Sequence, residues 1–234
     1  MIVSINQPAY LPWLGYFHRI AVSDVHVVLD HVQFEKNSFT NRNKIRTKEG
    51  WCWLTVPVQT AGRFGELPIS EIEIANEKKW AAKHWESVRI NYAKAAHFGE
   101  HASFFEHLYS RPWMRLAELN REITSYLLGA FGIRTKLLFS SELNICGKKD
   151  ELVLNICREL GATEYLSGPL GRHYLHEDRF LGAGIEVRYD DYRHPTYKQV
   201  YSGFEPYMGA CDLLFNAGVA SLEVILKEQE QVRQ

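Results

Sequence analysis

The stretch IVSINQPAYLPWLGYFHRIAVSDVHVVLD, residues 2–30, decides the fold class. Ile2 to Asn6 is a short apolar run that reads as a strand, and Gln7-Pro8-Ala9-Tyr10 breaks it. Pro12 suits a first helical turn, and Trp13 to Val22 carries helical spacing up to Ser23-Asp24. Val25 to Leu29 is β-branched and apolar, the composition of a second buried strand. Two buried strands joined by a helix make a βαβ unit, and such a unit needs a parallel pair. The expected fold class is therefore α/β, with a mostly parallel Rossmann-like sheet flanked by helices.

Working outward, Lys44–Thr47 and Trp51–Val58 flank Lys48-Glu49-Gly50 and predict a β-hairpin. A loop is expected over Gly62–Pro68 and a strand over Ile69–Ala75. A long helix should run from Glu77 to about Ala96, with Asn76 as its N-cap. A second amphipathic helix is expected over Trp113–Phe131, ended by Gly132. The βαβ rhythm then returns: strand Arg134–Phe139, helix Glu151–Leu160 closed by Gly161, and strands Glu164–Ser167 and Gly184–Tyr189. The tail from Cys211 to Gln229 reads as one helix. With no linker or repeat, the expectation is one domain over 1–234, in which roughly 76–132 form a helical insertion or lid.

Composition excludes several classes. A formal net charge of −1 argues against DNA or RNA as the main target. The scattered Cys52, Cys146, Cys157 and Cys211 form no CxxC pair, so reduced thiols and no metal site are expected. No basic n-region precedes an apolar h-region, and no apolar run reaches membrane-spanning length, so a cytoplasmic protein is expected.

The chemistry should lie beyond the carboxyl ends of the strands, where open parallel sheets bind ligands. The loop after the first strand offers Gln7, Tyr10, Gly15 and Tyr16, and the helix that follows presents a positive dipole end to an anion. Nucleotidylyltransferases carry an H-x-G-H motif here. Gly15 keeps its glycine, but Trp13 and Tyr16 stand in place of the histidines. Asp30 ends the second strand and could orient a hydroxyl, with Gln33 close by in sequence. Asn41, Arg42 and Asn43 are too polar for a strand interior without partners, and Arg42 can grip a carboxylate or phosphate in two-pronged fashion. The late segment from Ser167 and Gly168 to Tyr174 could bend into an anion-binding nest. Beyond it lie Asp190, Asp191, Tyr192, and His194, a candidate general base, with Tyr197 and Gln199. His84 shares a helix face with Trp80, Val88 and Tyr92, a stripe whose simplest reading is core. Tyr16, His194 and His84 are the candidates for proton transfer. No G-x-S-x-G elbow or H-E-x-x-H pair is present.

Several blocks together resemble the WbqC-like protein family. They are Q-P-x-Y-L-P-W-x-G-Y-F from Gln7 to Phe17, S-D-V from Ser23, L-D-x-V-Q-F from Leu29, and N-R-N-x-I from Asn41. T-V-P-V ending at Val58, Tyr165-Leu166-Ser167-Gly168, H-P-x-Y-x-Q from His194, and Asp212-Leu213-Leu214-Phe215-Asn216 complete the set. That resemblance implies a role in bacterial surface-polysaccharide (O-antigen) synthesis, as a glycyl, aminoacyl or acyl transferase acting on an amino or nucleotide-linked sugar. The implied ligands are a small sugar- or nucleotide-linked substrate and a nucleotide or acyl or aminoacyl donor, and no resident cofactor is identified. Two alternatives stay open: a nucleotidylyltransferase-like adenylate-forming enzyme, and a non-catalytic sugar-nucleotide-binding or assembly protein. The sequence leaves the oligomeric state undetermined.

Overall fold

The computed structural model describes residues 1–60, 65 and 67–227. Its frame is a five-stranded parallel sheet built from β1 (Ile2–Asn6), β2 (Val25–Val28), β7 (Lys136–Phe139), β8 (Glu164–Ser167) and β9 (Glu186–Tyr189). The spatial order is β7-β2-β1-β8-β9, so the first strand is the central one. Two antiparallel pairs stand apart: the hairpin β3 (Arg42–Thr47) with β4 (Gly50–Thr55), and β5 (Val58–Gln59) with β6 (Glu73–Ile74). This is the Rossmann-like α/β arrangement that residues 2–30 predict.

The helices are α1 (Leu14–Ala21), α2 (Trp80–Tyr92), α3 (Phe98–Ser110), α4 (Leu116–Phe131), α5 (Lys149–Glu159), α6 (Glu177–Leu181), α7 (Cys211–Ala217) and α8 (Ser221–Leu226). Alternation along the strands sends side chains to two different cores. Val3, Ile5, Val25, Val27 and Tyr165 pack with Leu152, Ile156 and Phe180 of α5 and α6. A larger core lies around α1, α2, α3, α4 and α7 and the inner side of the hairpin, with Phe17, Val88, Phe105, Ile123, Phe215 and Ile45 all fully buried. The sheet surface beneath α1 is partly polar. Ser4 and His26 lie in register there, and Ser4 Oγ is 2.7 Å from His26 Nδ1.

Four expected elements come out differently. Ile69–Ala75 is a 3-10 turn over Ile69–Glu71 followed by the two-residue β6. Asn76 does not cap α2. Its amide bonds the Trp113 carbonyl and accepts from the Trp80 indole, and α2 starts after a turn ending at Lys79. Residues 76–132 hold three helices, since α3 lies between the two expected ones. The tail is two helices, α7 and α8, separated by a 3-10 turn over Gly218–Ala220. The expected loop over 62–68 and the end of the tail fall mostly outside the described residues. Among the described residues, no helix is long and apolar enough to cross a membrane.

Candidate functional site

Strand order reverses between β1 and β8, because the chain leaves β1 toward β2 on one side and leaves β8 toward β9 on the other. Such a switch point opens a crevice beyond the carboxyl ends of the two strands. Here the crevice is bounded by Asn6 after β1 and by Ser167-Gly168 after β8.

Arg19 of α1 crosses it. Its Nη1 donates to Asn6 Oδ1 at 2.6 Å, and its Nε reaches Asp190 Oδ2 at 3.5 Å. The guanidinium lies so close to Gly168 that a Cβ there would be 2.8 Å from Nη1. Asp190, at the end of β9, is pinned by its own N–H donating to the Ser167 carbonyl. Its carboxylate also lies 3.0 Å from His18 Nδ1, a close approach outside hydrogen-bond geometry. His18 is about one-fifth exposed and lies tilted against Tyr192, with ring centroids 4.6 Å apart. Tyr192 covers Gly15, where a Cβ would be 2.8 Å from the ring. The early and late loops therefore meet, through an Arg–Asp–His group and two glycines that admit Arg19 and Tyr192 at close range. Asn6 adds a buried Nδ2 with no hydrogen-bond partner among the described residues.

The structure places the other predicted site residues as follows. Tyr16 is fully buried under α1, its ring edge-on to His26 and its hydroxyl without a hydrogen-bond partner among the described residues, and burial pushes its pKa well up. His84 is buried on α2. Burial lowers its pKa to about 4, and a hydrogen bond to the Thr55 backbone partly offsets this. That bond favours the protonated ring, so the imidazole donates there and its Nδ1 accepts from Tyr10 Oη at 2.8 Å. Tyr10 then accepts from Tyr109 at 2.6 Å. Both ring nitrogens of His84 are thus used inside the core, where Tyr10, His84 and Tyr109 form one internal network.

Four further polar residues tie loops to the frame. Asn41 Nδ2 donates to the Val56 carbonyl, and Asn43 Nδ2 to the Leu11 carbonyl. Gln33 accepts from the Leu67 N–H, and Gln199 Nε2 donates to Asp212. Asp212, fully buried, also accepts from Tyr197 and Tyr92, and burial raises its pKa. Arg42 sits on the hairpin, donating to the Asn37 carbonyl with its guanidinium 4.6 Å from the centroid of the Trp53 ring. His194 is half-buried beside Tyr197, Phe204 and Tyr207, and burial lowers its pKa. Tyr174 is exposed after the turn that follows Gly168, and Gln7 is half-buried after β1. Tyr16, His84 and His194 thus occupy three separate neighbourhoods.

Sequence reasoning passed over Asn6, His18 and Arg19 and left Asp190 without a role. The signal was present: Asp190 ends a predicted strand, and His18 and Arg19 lie one turn into the helix that leaves the central strand. Among the described residues, no three His, Cys, Asp or Glu side chains gather as metal ligands.

A profile of the WbqC-like protein family matches residues 7–224. The chain belongs to the WbqC-like protein family. It is similar to the uncharacterized protein Rv1507c of Mycobacterium tuberculosis, 40% identical over 218 residues that cover 92% of this chain and 94% of the relative. No solved structure matches the chain. Membership spans both sides of the crevice, so Asn6, one residue ahead of the match, is the single crevice residue outside it.

Proposed function

We propose that this WbqC-like protein is a transferase of surface-polysaccharide (O-antigen) synthesis that moves an acyl or aminoacyl group, a glycyl group among them, onto the amine of a sugar- or nucleotide-linked substrate. The observation that carries this reading is the His18–Asp190 contact at the switch point, beside Arg19 and the free donor of Asn6. The buried carboxylate of Asp190 lies beside Nδ1 and favours the imidazolium that forms when Nε2 accepts a proton. In the reaction the amine nitrogen bonds to the donor's carbonyl carbon, the bond to the leaving group breaks, and the amine proton passes to His18. Asn6 Nδ2 and Arg19 supply hydrogen-bond donors for the oxygen that gains charge. Tyr192 over Gly15 counts against the adenylate-forming alternative, because it takes the space a phosphate would need.

The test is a screen of purified protein for turnover with acyl and aminoacyl donors and amino-sugar nucleotides, with His18→Gln as the paired variant. Loss of a general base lowers turnover by about 10²–10⁴-fold. Full activity in His18→Gln would remove the proposed base. Ligand binding without turnover under every donor would favour the binding-protein reading.

A further inference from the structure

A second opening lies one strand further along the same sheet edge. Val28, Asp30 and Phe139, at and beyond the ends of β2 and β7, form its floor, and Ala117, Asn120 and Thr124 of α4 form its roof. Pro8, two residues after Asn6, also lines it. The volume is about 140 Å³, room for roughly ten non-hydrogen atoms if a water-sized atom takes ~10–15 Å³.

The polar groups of this pocket are mismatched in one direction. Asp30 is 6% exposed, and its carboxylate is held by three neutral donors: the Ser140 hydroxyl, the Ser141 N–H and the Ser141 hydroxyl. A buried carboxylate ordinarily needs a cation to offset its desolvation. Arg121, the cation on the pocket wall, is directed elsewhere, pairing with Glu142 at 2.7 Å and covering the Phe139 ring at 3.8 Å. Asn120 is 1% exposed. Its Nδ2 donates to the Thr40 carbonyl, which fixes the amide orientation and leaves Oδ1 as a buried acceptor without a partner among the described residues. Glu118, an exposed residue, also borders the pocket. The site has acceptors and negative charge in excess, beside the apolar surface of Val28 and Phe139.

We infer that this pocket binds the ammonium end of a small primary amine, with the buried Asp30 and Asn120 receiving the charge and Phe139 packing against the carbon frame. The N–H donors of one compact cation suit a buried carboxylate and a buried amide oxygen in a confined space. This deepens the transferase reading, and rests on it only for the amine's role as the group acceptor, which requires the seated ammonium to leave the pocket and lose a proton before it reaches the crevice; binding itself does not depend on it. The β1–α1 loop links the two openings, so an amine seated here lies next to the switch-point crevice.

The experiment is calorimetric titration of the protein near neutral pH with D-glucosamine, glycinamide and D-glucose. Glucosamine represents an amino sugar, glycinamide an amino-acid amine, and glucose the same ring without the charge. At least one amine should bind roughly tenfold or more tighter than glucose, as a charge-assisted contact would give. The amine that binds names the source. Ala117→Leu fills the pocket from a helical position with a good helix former, and should abolish amine binding while the protein's melting curve is retained. Asp30→Asn should weaken it by a similar factor. Equal binding of glucose and the amines, binding of none of them, or amine binding unchanged in Ala117→Leu would overturn the inference. Amine binding that disappears in Ala117→Leu, in a protein that shows no turnover, would uphold the pocket and remove the transferase reading instead.

Discussion

Tyr10 lies in a loop that reads as a ligand site, yet its hydroxyl is fully used between Tyr109 and His84. Removing it in Tyr10→Phe leaves a buried imidazole acceptor unpaired, which costs about 1–3 kcal/mol. Denaturant unfolding should show this as a lower midpoint with an unchanged slope, while binding at the crevice stays intact. His18 presents the opposite case. It is partly exposed and supports little structure, so His18→Gln should change stability by no more than about 0.5 kcal/mol, and equilibrium unfolding beside the turnover assay separates the two effects. Sequence could mark Tyr10, Asn41, Asn43, Tyr197 and Gln199 as polar residues needing partners. It could not say that the partners would be backbone carbonyls, a histidine and Asp212, because those contacts join loops distant in the chain.

At the scale of elements, the βαβ reading of residues 2–30 holds because its signals are local: β-branched runs, a helical apolar spacing, and a serine–aspartate stop, although Pro12 lies ahead of the Trp13 cap and not in the first turn. β1 and β8 have the predicted limits, and Gly132 and Gly161 follow their helices as expected. The errors fall where tertiary contacts decide. Trp113 was read into α4, but its indole donates to the Leu108 carbonyl and folds it back onto α3. The tail splits at Gly218, whose φ is +54° and whose Cβ position would lie 2.5 Å from the His97 ring. Gly218→Ala should therefore cost ~1–3 kcal/mol through backbone strain and collision, measured as a drop in Tm. The double variant Gly218→Ala/His97→Ala should recover the collision part and leave the strain.

Buried imidazoles give the whole molecule a loss of stability in acid, against which the raised carboxyl of Asp212 works in the opposite sense. Burial lowers His26 to about 3 and His84 to about 4, against an unfolded value near 6.5. Below 6.5 the unfolded chain takes up protons that the folded chain refuses, so stability is greatest above that pH and falls as acid is added. The loss continues until each folded value is passed, at about 1.4 kcal/mol per unit and per histidine. Unfolding free energy measured from pH 7 down to pH 4 should therefore drop by several kcal/mol, and His84→Gln should flatten part of that slope. A flat profile in the native protein would contradict the buried, neutral state of both rings.

The central position of β1 also bears on synthesis. Its pairing with β2 closes within the first 28 residues, but its other edge waits for β8, and Ile2 pairs with Glu164 across 162 positions. While the ribosome is still making α2 to α5, one side of an apolar strand has no neighbour, a state in which nascent chains are open to mispairing. The order of strands that builds the crevice thus also leaves the edge of β1 unpaired during synthesis until β8 (Glu164–Ser167) has emerged.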